Sequence, residues 1–333
     1  MLKAFLEEKD HIVYMQVYIL FIVGFVFLIK GADLLVEGAT SIGRRLNISS
    51  IVIGLTIVSF GTSLPELLVN LIASYNDNPD IGVGNVLGSN IANILLILGV
   101  AAIINPLPIT KNTYFIEVPF SLTATLLVGF LANASFFGKT NDFIISQYDG
   151  FILLFFFVLF MGYVYIVSKQ KRTEFNSDEF KQMPITKSVI FIVIGIVGLY
   201  FGGIWVVDGA VTIARAFHMS EGFIGLTIIA LGTSLPELVT SAMAAFKKNT
   251  DIAVGNVVGS NIFNLLWILG VSASIKPIPY DVISNADIFM IIASSTLLIL
   301  AVVIGKKPVI SRWEGFFFLI AYAWYITFLL QRG

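Results

Sequence analysis

The chain has 333 residues, of which 57% are hydrophobic and only 12% are charged. That composition lies outside the range of soluble globular domains and predicts a chain that lives in lipid. Its 20 basic and 21 acidic residues nearly cancel, so no basic surplus points to nucleic acid. The absence of cysteine excludes disulfides and thiolate chemistry.

Apolar segments of about 20 residues, the length that crosses the hydrocarbon core, recur along the whole chain. The first is too long for the apolar region of a signal peptide, so we expect it to be retained as a helix. The predicted fold class is an all-α polytopic membrane protein with ten transmembrane helices. They are centred near residues 28, 60, 92, 123, 157, 199, 233, 263, 294 and 321.

The longest polar stretch, residues 169–187, separates a first unit of five helices, residues 1–168, from a second unit, residues 188–333. Lys and Arg are distributed unevenly between the two faces. The connections after the odd-numbered helices carry 13 of them, and the opposite face, with both tails, carries 6. The positive-inside rule then predicts that the 169–187 loop is cytoplasmic and that both termini lie outside the cell membrane.

An internal repeat relates the two units. Residues 54–100 align without a gap with residues 225–271, at a constant offset of 171, and 29 of the 47 aligned positions are identical. Weaker similarity extends upstream and pairs Glu37 with Asp208. Five spans separate equivalent points, and because five is odd, the second copy must enter the membrane in the opposite direction. Inverted repeats are typical of transporters that bind substrate near the midplane.

The first motif of each copy places a carboxylate in the middle of an apolar span. It reads Gly-Thr-Ser-Leu-Pro-Glu and ends at Glu66 in one copy and at Glu237 in the other. A charge there costs about 2.5–3.5 kcal/mol on insertion scales, so both glutamates are functional candidates; the alternative is a structural hydrogen bond to a neighbouring helix. Pro65 and Pro236 should break the two helices. Helical spacing places four hydroxyl side chains near the glutamates, namely Thr62, Ser63, Thr233 and Ser234.

Such a set of carboxylate, hydroxyl and freed carbonyl oxygens suits a hard cation such as calcium. Transition metals would favour imidazole or thiolate ligands, which the chain does not place in its core. Acidic side chains elsewhere have simpler interpretations. Lys30, Asp33 and Glu37 follow one another at i, i+3 and i+7 near the end of the first span, where an intrahelical pair and snorkelling explain them.

The second motif, Gly-Asn-x-x-Gly-Ser-Asn-x-x-Asn, occupies residues 84–93 and again 255–264. Its glycines are four residues apart and should let helix backbones approach closely. Its polar residues give each copy a second polar stripe, although they could also join membrane helices without touching substrate; the same alternative holds for Asn90 and Asn261. The stripe consists of Asn85, Ser89 and Asn93 in one copy and of Asn256, Ser260 and Asn264 in the other.

These paired motifs resemble the alpha-repeats of the sodium/calcium exchanger family, within the calcium:cation antiporters, and both copies match. The resemblance implies a secondary active transporter that exchanges sodium for calcium by alternating access. The chain is similar to a minimal, prokaryotic-type member without a large regulatory insertion. It is expected to have calcium and sodium as transported ions, the bilayer as its surroundings, no cofactor, no enzymatic activity and no nucleic-acid partner.

By motif position, the resemblance also implies which residues bind the ions. Glu66 and Glu237 would ligate calcium together with the backbone carbonyls of Thr62 and Thr233, and the same glutamates would serve sodium. Some members, notably prokaryotic and potassium-dependent ones, carry aspartate where this chain has Asn264. Potassium-independent animal exchangers resemble this chain in using asparagine, so potassium dependence is disfavoured. The remaining implied ligands are the hydroxyls of Ser63, Ser89, Ser234 and Ser260, the carbonyls of Ser59 and Ala230, and the side chains of Asn93 and Asn264.

Three other functions are weighed against this one. In a proton/calcium exchanger of the same architecture, Glu66 and Glu237 would trade calcium for protons; the serine hydroxyls favour sodium because they have little use as proton acceptors. A passive channel is disfavoured because nothing indicates a continuous pore. An intramembrane enzyme would need a nucleophile, a catalytic acid pair or a chelated metal, and symmetric Thr-Ser sets do not resemble such chemistry.

Overall fold

The computed structural model describes residues 2–75, 79–137, 143–170, 182–219, 228, 230–304 and 308–332. Over these residues the chain is almost entirely helical, and its long apolar helices confirm an all-α polytopic membrane protein. Much of the predicted cytoplasmic loop, residues 171–181, lies outside the described residues. In chain order the helices are α1 (Leu2–Leu46), α2 (Ser50–Thr62), α3 (Leu64–Tyr75), α4 (79–104), α5 (Thr113–Ala132), α6 (Gln147–Gln170), α7 (Ile185–Ala216), α8 (Ala230–Gly232), α9 (Leu235–Phe246), α10 (Thr250–Ile275), α11 (Asn285–Ile304) and α12 (Arg312–Arg332).

Short segments of other helix types accompany these helices. Wider, π-helical turns occur within four of them, and such turns are frequent at functional sites. They span Gly54–Val58 in α2, Asn93–Ile97 in α4, Thr113–Glu117 in α5 and Phe263–Ile268 in α10. Two 3-10 turns, Ala134–Phe137 and Val282–Ser284, lie in the connections before α6 and α11.

Within the described part of the chain, eight helices are long and apolar enough to cross a membrane, and α2 with α3 forms a ninth candidate that bends by 45°. These nine match nine of the ten predicted centres. The tenth predicted span, near residue 233, is represented by α8 and the 12-residue α9, because residues 220–227 and 229 lie outside the described residues. The count of ten therefore stays a prediction.

The two helix breaks lie where the prolines predict them. Between α2 and α3, Ser63 leaves the helical conformation with φ −85° and ψ 5°, two residues before Pro65. Between α8 and α9, Ser234 does the same with φ −89° and ψ 3°, two residues before Pro236. Proline lacks a backbone N–H and its ring clashes with the carbonyl four residues earlier, so the helix cannot continue through these positions.

Two small antiparallel ladders join the units outside the helices. Strand β1 (Leu107–Pro108) pairs with β4 (Val309–Ile310), and β2 (Ile144–Ile145) pairs with β3 (Ile278–Pro279). The first ladder links the connection after α4 to the connection after α11. The second links the connection after α5 to the connection after α10. Each ladder thus pairs two connections that the span count predicts to lie on the same face.

Helices α1 and α7 pack along each other through small residues. A Cβ atom on Gly195 would lie 2.7 Å from the backbone N of Leu35 and 2.8 Å from the carbonyl O of Gly31. Both glycines are therefore required for the observed distance between the two backbones. This contact joins the first helix of one unit to the first helix of the other.

The centre of the molecule is formed by α10 and α4. In the 18-residue apolar stretch of each helix, 94% of the residues are buried in α10 and 72% in α4. The corresponding value is 22% in α6, which faces lipid. A Cβ atom on Gly255 would lie 2.6 Å from Ile51 O and one on Gly259 would lie 2.7 Å from Ser59 Oγ, which confirms the predicted close approach for this glycine pair. The matching approach of Gly84 and Gly88 remains a prediction, because its expected neighbours fall mostly within 222–227 and 229, outside the described residues.

Candidate ion-binding site

Two buried glutamates lie directly after the two helix breaks. Glu66 is in the first turn of α3 and Glu237 in the first turn of α9, and each exposes only 1% of its surface. The first turn is the positive end of the helix dipole and stabilises a carboxylate. Even so, a carboxylate at membrane depth needs polar neighbours, and both glutamates face the protein interior rather than lipid.

One hydrogen bond joins the two units at these glutamates. Ser63 Oγ donates to Glu237 Oε1 at 3.0 Å, which brings the carboxylate of the second unit to the helix break of the first. The equivalent serine of the second unit makes a different bond, since Ser234 Oγ donates to Ser89 Oγ at 3.0 Å. The two copies of the motif thus share one polar cluster, but they do not make the same bonds within it.

Two asparagines hold the threonines of the opposite copy. Asn85 Nδ2 donates to Thr233 Oγ1 at 2.9 Å, and Thr62 Oγ1 donates to Asn256 Oδ1 at 3.1 Å. These bonds connect equivalent positions at the offset of 171. The threonine side chains are therefore fixed from the other unit, which leaves their backbone carbonyls oriented by the helix breaks.

Two further residues extend this network, and sequence analysis does not single them out. Asn70 Nδ2 donates to the backbone O of Glu66 at 3.0 Å and to Asn85 Oδ1 at 3.3 Å. Ser241 Oγ accepts a bond from Asn256 Nδ2 at 2.9 Å. Asn70 and Ser241 each follow a motif glutamate by four residues and occupy equivalent positions in the repeat. That spacing was the signal that could have identified them.

Besides Asn256, the second motif contributes six buried polar side chains from the centres of α4 and α10. Asn93 Nδ2 donates to Asn261 Oδ1 at 2.9 Å, and Asn261 Nδ2 donates to the backbone O of Asn90 at 3.4 Å. These bonds favour a structural role for Asn261, the alternative left open above, whereas the bond to Asn90 involves only its backbone. The predicted ligands on this stripe are all at most 1% exposed; they are Ser89, Asn93, Ser260 and Asn264.

Several buried polar atoms of the cluster have no hydrogen-bond partner among the described residues. Buried polar groups are almost always bonded, so such atoms call for an explanation such as a bound ion. Their carboxylate, hydroxyl and amide oxygens are the ligand types of hard cations, and they fit a cation as the substrate. The atoms are Glu66 Oε2, Glu237 Oε2, Asn90 Oδ1, Asn93 Oδ1, Ser260 Oγ and both polar side-chain atoms of Asn264.

Neutral oxygens must provide most of any such site. The part of the chain that the structure describes contains no group of three or more His, Cys, Asp or Glu side chains that could hold a metal ion. The backbone carbonyl of Ser59, a predicted ligand, accepts bonds from Ser63 N at 3.0 Å and from Thr62 Oγ1 at 3.4 Å. Ala230, the other predicted carbonyl ligand, is the first residue of α8.

A cavity of about 280 Å³ leads to this cluster from one side. We call it the vestibule; it lies between α3, α7 and the break that separates α8 from α9, and Thr233 lines its inner end. Ile72, near the end of α3, and Ile204 on α7 line it farther out and are 59% and 38% exposed. The site can therefore be reached from the face where α3 ends.

The equivalent positions on the opposite side are closed. Thr233 and Val207 are partly exposed in the vestibule, whereas their counterparts at the offset of 171, Thr62 and Val36, are completely buried. The two units therefore differ in access to the site, although their motifs are the same.

An ion pair lies on this closed side. Lys247, at the end of α9, forms a salt bridge with Asp33 of α1. Nearby, Asn249 Nδ2 donates to Thr40 Oγ1 at 3.1 Å. The bridge corrects the interpretation of Asp33 from sequence, because its partner lies on another helix of the second unit rather than within the first span.

Two carboxylates, one from each copy of the repeat, are buried among lipid-facing helices. They lie in one polar cluster that can be reached from one face. This arrangement defines a membrane cation transporter. Interrupted helices that meet at the substrate are the general architecture of secondary transporters.

Comparison with known proteins gives the family. The chain belongs to the family described as "Sodium/calcium exchanger protein", whose model matches residues 16–166 and 187–331. It is 40% identical to the putative antiporter CaxA of Alkalimonas amylolytica over 313 residues, 91% of this chain and 95% of that protein. It is 30% identical to the sodium/calcium exchanger MaX1 of Methanosarcina acetivorans over 351 residues, 94% of this chain and 97% of that protein.

Comparison with solved structures indicates the same family. A structure of the sodium-calcium exchanger NCX_Mj, soaked with Na⁺ and Sr²⁺, matches with a TM-score of 0.77 at 35% identity, over 94% of this chain and 98% of that one. The chain is thus an integral membrane protein of a family of cation/calcium antiporters, which are transporters and not enzymes. The predicted resemblance is confirmed.

Proposed function

We propose that this chain exchanges sodium for calcium across the cell membrane by alternating access, with Glu66 and Glu237 carrying the transported ions. The observation that carries the proposal is the bond from Ser63 to Glu237, which joins the helix break of one repeat copy to the carboxylate of the other within one buried cluster of oxygen atoms. Two carboxylates balance the charge of one calcium ion. Sodium ions in the same cluster would compete for the same oxygens, so occupancy by one ion excludes the other and gives exchange.

The proposed ligand set keeps the positions that the family resemblance implies. Calcium is bound by the two glutamates with the carbonyls of Thr62 and Thr233, whose side chains are held by Asn256 and Asn85. For the remaining members, burial supports the side chains, unpartnered atoms add support for Ser260, Asn93 and Asn264, and the two carbonyls rest on motif position alone. These are the hydroxyls of Ser63, Ser89, Ser234 and Ser260, the carbonyls of Ser59 and Ala230, and the side chains of Asn93 and Asn264.

Sodium is favoured over protons as the coupling ion because the cluster is rich in neutral oxygens. Four serine hydroxyls and two asparagine amides can ligate sodium, but they have little use in binding a proton at neutral pH. The relative MaX1 is named a sodium/calcium exchanger, which supports the same choice. A proton/calcium exchanger of this architecture is the alternative, and it would need only the two glutamates.

We further propose ten spans in two inverted units, with both termini and the vestibule outside and the 169–187 loop in the cytoplasm. The distribution of Lys and Arg supports this orientation. The two strand ladders support it as well, because each joins connections assigned to one face. In this orientation the structure corresponds to an outward-facing state, open through the vestibule and closed on the side of Asp33 and Lys247.

The decisive experiment is calcium-45 uptake into proteoliposomes. Vesicles loaded with sodium are compared with choline-loaded vesicles, with and without an imposed pH gradient. We expect uptake that requires internal sodium and is abolished by Glu66→Gln and by Glu237→Gln. Uptake driven by the pH gradient alone would establish the proton alternative instead.

Glu117→Gln is the matched control. Glu117 is also a membrane-embedded glutamate, 1% exposed, but it accepts a hydrogen bond from Tyr163 at 2.6 Å and lies on α5, outside the ion cluster. Glutamine keeps a side-chain oxygen that can accept the hydrogen bond from Tyr163. Sodium-dependent uptake should therefore persist in this variant, which separates loss of an ion ligand from general loss of a buried carboxylate.

A further inference from the structure

We propose that Asp208 is an entrance residue that concentrates cations in the vestibule and thereby raises the rate at which they reach the site from outside. This role rests on the proposed function for its direction and its cargo. Asp208 is the one charged residue among the described residues that line the vestibule. It is exposed, and it would act through its field rather than as an ion ligand.

The position of Asp208 supports this role. The vestibule walls are otherwise mostly apolar, including Pro65, Leu68 and Val69 on α3, so the low-dielectric surroundings focus the field of a single carboxylate. No side chain described in the structure forms a hydrogen bond or ion pair with this carboxylate. The cavity continues from Asp208 to Thr233, next to the ion cluster. A cation drawn to the entrance therefore has an open route inward.

The repeat gives an internal comparison. Asp208 and Glu37 occupy equivalent positions at the offset of 171, so an acidic residue stands at the same place in both units. Glu37 lies on the side that is closed in this structure, where its neighbours Ala32 and Val36 are fully buried. When that side opens, Glu37 would be placed at the entrance of the equivalent cavity. Each acid therefore acts only on ions that arrive from its own side.

The expected size of the effect follows from Coulomb's law. Ile204 lies one helical turn before Asp208 on the same face of α7, about 6 Å away along the axis. A unit charge at that distance changes the local concentration of a monovalent cation about threefold in water, and that of a divalent cation about tenfold. The effect is largest at low salt and is screened near 1 M, where the Debye length is about 3 Å.

Cysteine labelling tests the field directly, and the chain has no cysteine of its own. Intact cells carrying Ile204→Cys are treated at low ionic strength with membrane-impermeant methanethiosulfonates, one cationic and one anionic. We expect Asp208→Asn to lower the ratio of the cationic to the anionic reaction rate about tenfold, because one rate falls and the other rises about threefold. Asp208→Glu should keep the ratio, and 1 M choline chloride should abolish the difference.

Two controls accompany this measurement. Glu37→Gln should leave the ratio at Ile204→Cys unchanged, since Glu37 belongs to the opposite side. At Tyr148→Cys, an 81% exposed position at the start of α6 that does not line the vestibule, the ratio should not respond to Asp208→Asn. Any of three results would overturn the proposal: an unchanged ratio at Ile204→Cys, a change in the ratio that survives 1 M salt, or labelling only in everted vesicles.

Transport provides the second readout. In right-side-out vesicles at low salt, Asp208→Asn should raise the apparent KM for calcium about tenfold and leave the maximal rate unchanged. A reduced maximal rate with unchanged KM would contradict a role at the entrance and indicate an ion ligand instead. If the wild-type protein moves calcium against protons rather than sodium, the proposed function fails, whereas the labelling ratio still decides the role of Asp208.

Discussion

Replacing Lys247 with Gln should open the closed side of the transporter. Its salt bridge with Asp33 joins the end of α9 to α1 on that side. The two side chains are 21% and 30% exposed, so solvent screens the pair, and we take its contribution as about 1 kcal/mol. Loss of about 1 kcal/mol from the closed state raises the population open on that side about fivefold.

The same labelling chemistry measures this shift. Met243 occupies the position equivalent to Ile72 of the vestibule and is partly buried on the closed side. In everted vesicles, Met243→Cys should react about fivefold faster when Lys247→Gln is added. Asp33→Asn should have the same effect, and the double replacement should add little to either, because residues that act through one pair are not additive.

The neighbouring lysine is the matched control. Lys248→Gln removes the same charge one residue away, and it should leave the labelling rate of Met243→Cys near its starting value. An equal rise with Lys248→Gln would show that net charge, and not the pair, sets access. Additive effects of Asp33→Asn and Lys247→Gln would refute the reasoning as well, because the two residues would then act independently.

Three further predictions concern packing, stability and ion binding. Gly195→Ala should destabilise the protein by about 1–3 kcal/mol through contact with the α1 backbone, measured as a lower Tm in detergent. Gly162→Ala is the control and should not lower the Tm, because no described atom lies within 4 Å of the added Cβ. Arg332→Gln should lower the free energy of unfolding by about 2 kcal/mol, because Arg332 bonds Asp287 at 3.1 Å. The loss should be smaller than for a fully buried pair, since Arg332 remains 23% exposed. The double variant with Asp287→Asn should recover part of the loss in Tm. Ser63→Ala removes a bond to a carboxylate worth about 1.5–3 kcal/mol, so calcium affinity in a binding assay should change about tenfold or more.

Much of this architecture could be predicted from the sequence because each feature leaves a local signal. Proline fixes the two breaks, since Pro65 and Pro236 cannot continue a helix. The gap-free repeat pairs Glu66 with Glu237, and in the structure Ser63, three residues before Glu66, bonds Glu237. Motif and break therefore identify the site without any knowledge of the packing.

The contacts between units could not be predicted in the same way. Asp33 and Lys247 are far apart in sequence, and helical spacing alone favours Lys30 as the partner of Asp33. The brace from Asn70 to the backbone of Glu66 was detectable by its spacing, but polar residues on membrane helices have many structural uses. Only the packing of α1 against α9 and of α3 against α4 decides these partners.

The repeat in the sequence also does not reveal the difference in access between the two sides of the site, on which transport depends. Identical motifs predict identical surroundings, yet Ser63 bonds a glutamate while Ser234 bonds another serine, and among the described residues a cavity reaches the site from one side. Because both units carry the same motif residues, the arrangement with these bonds exchanged, Ser234 to Glu66 and Ser63 to Ser260, should be of similar energy. Two such states, opposite in access and related by the repeat, are what alternating access requires. Symmetry in the sequence and asymmetry in the structure thus both fit the mechanism proposed above.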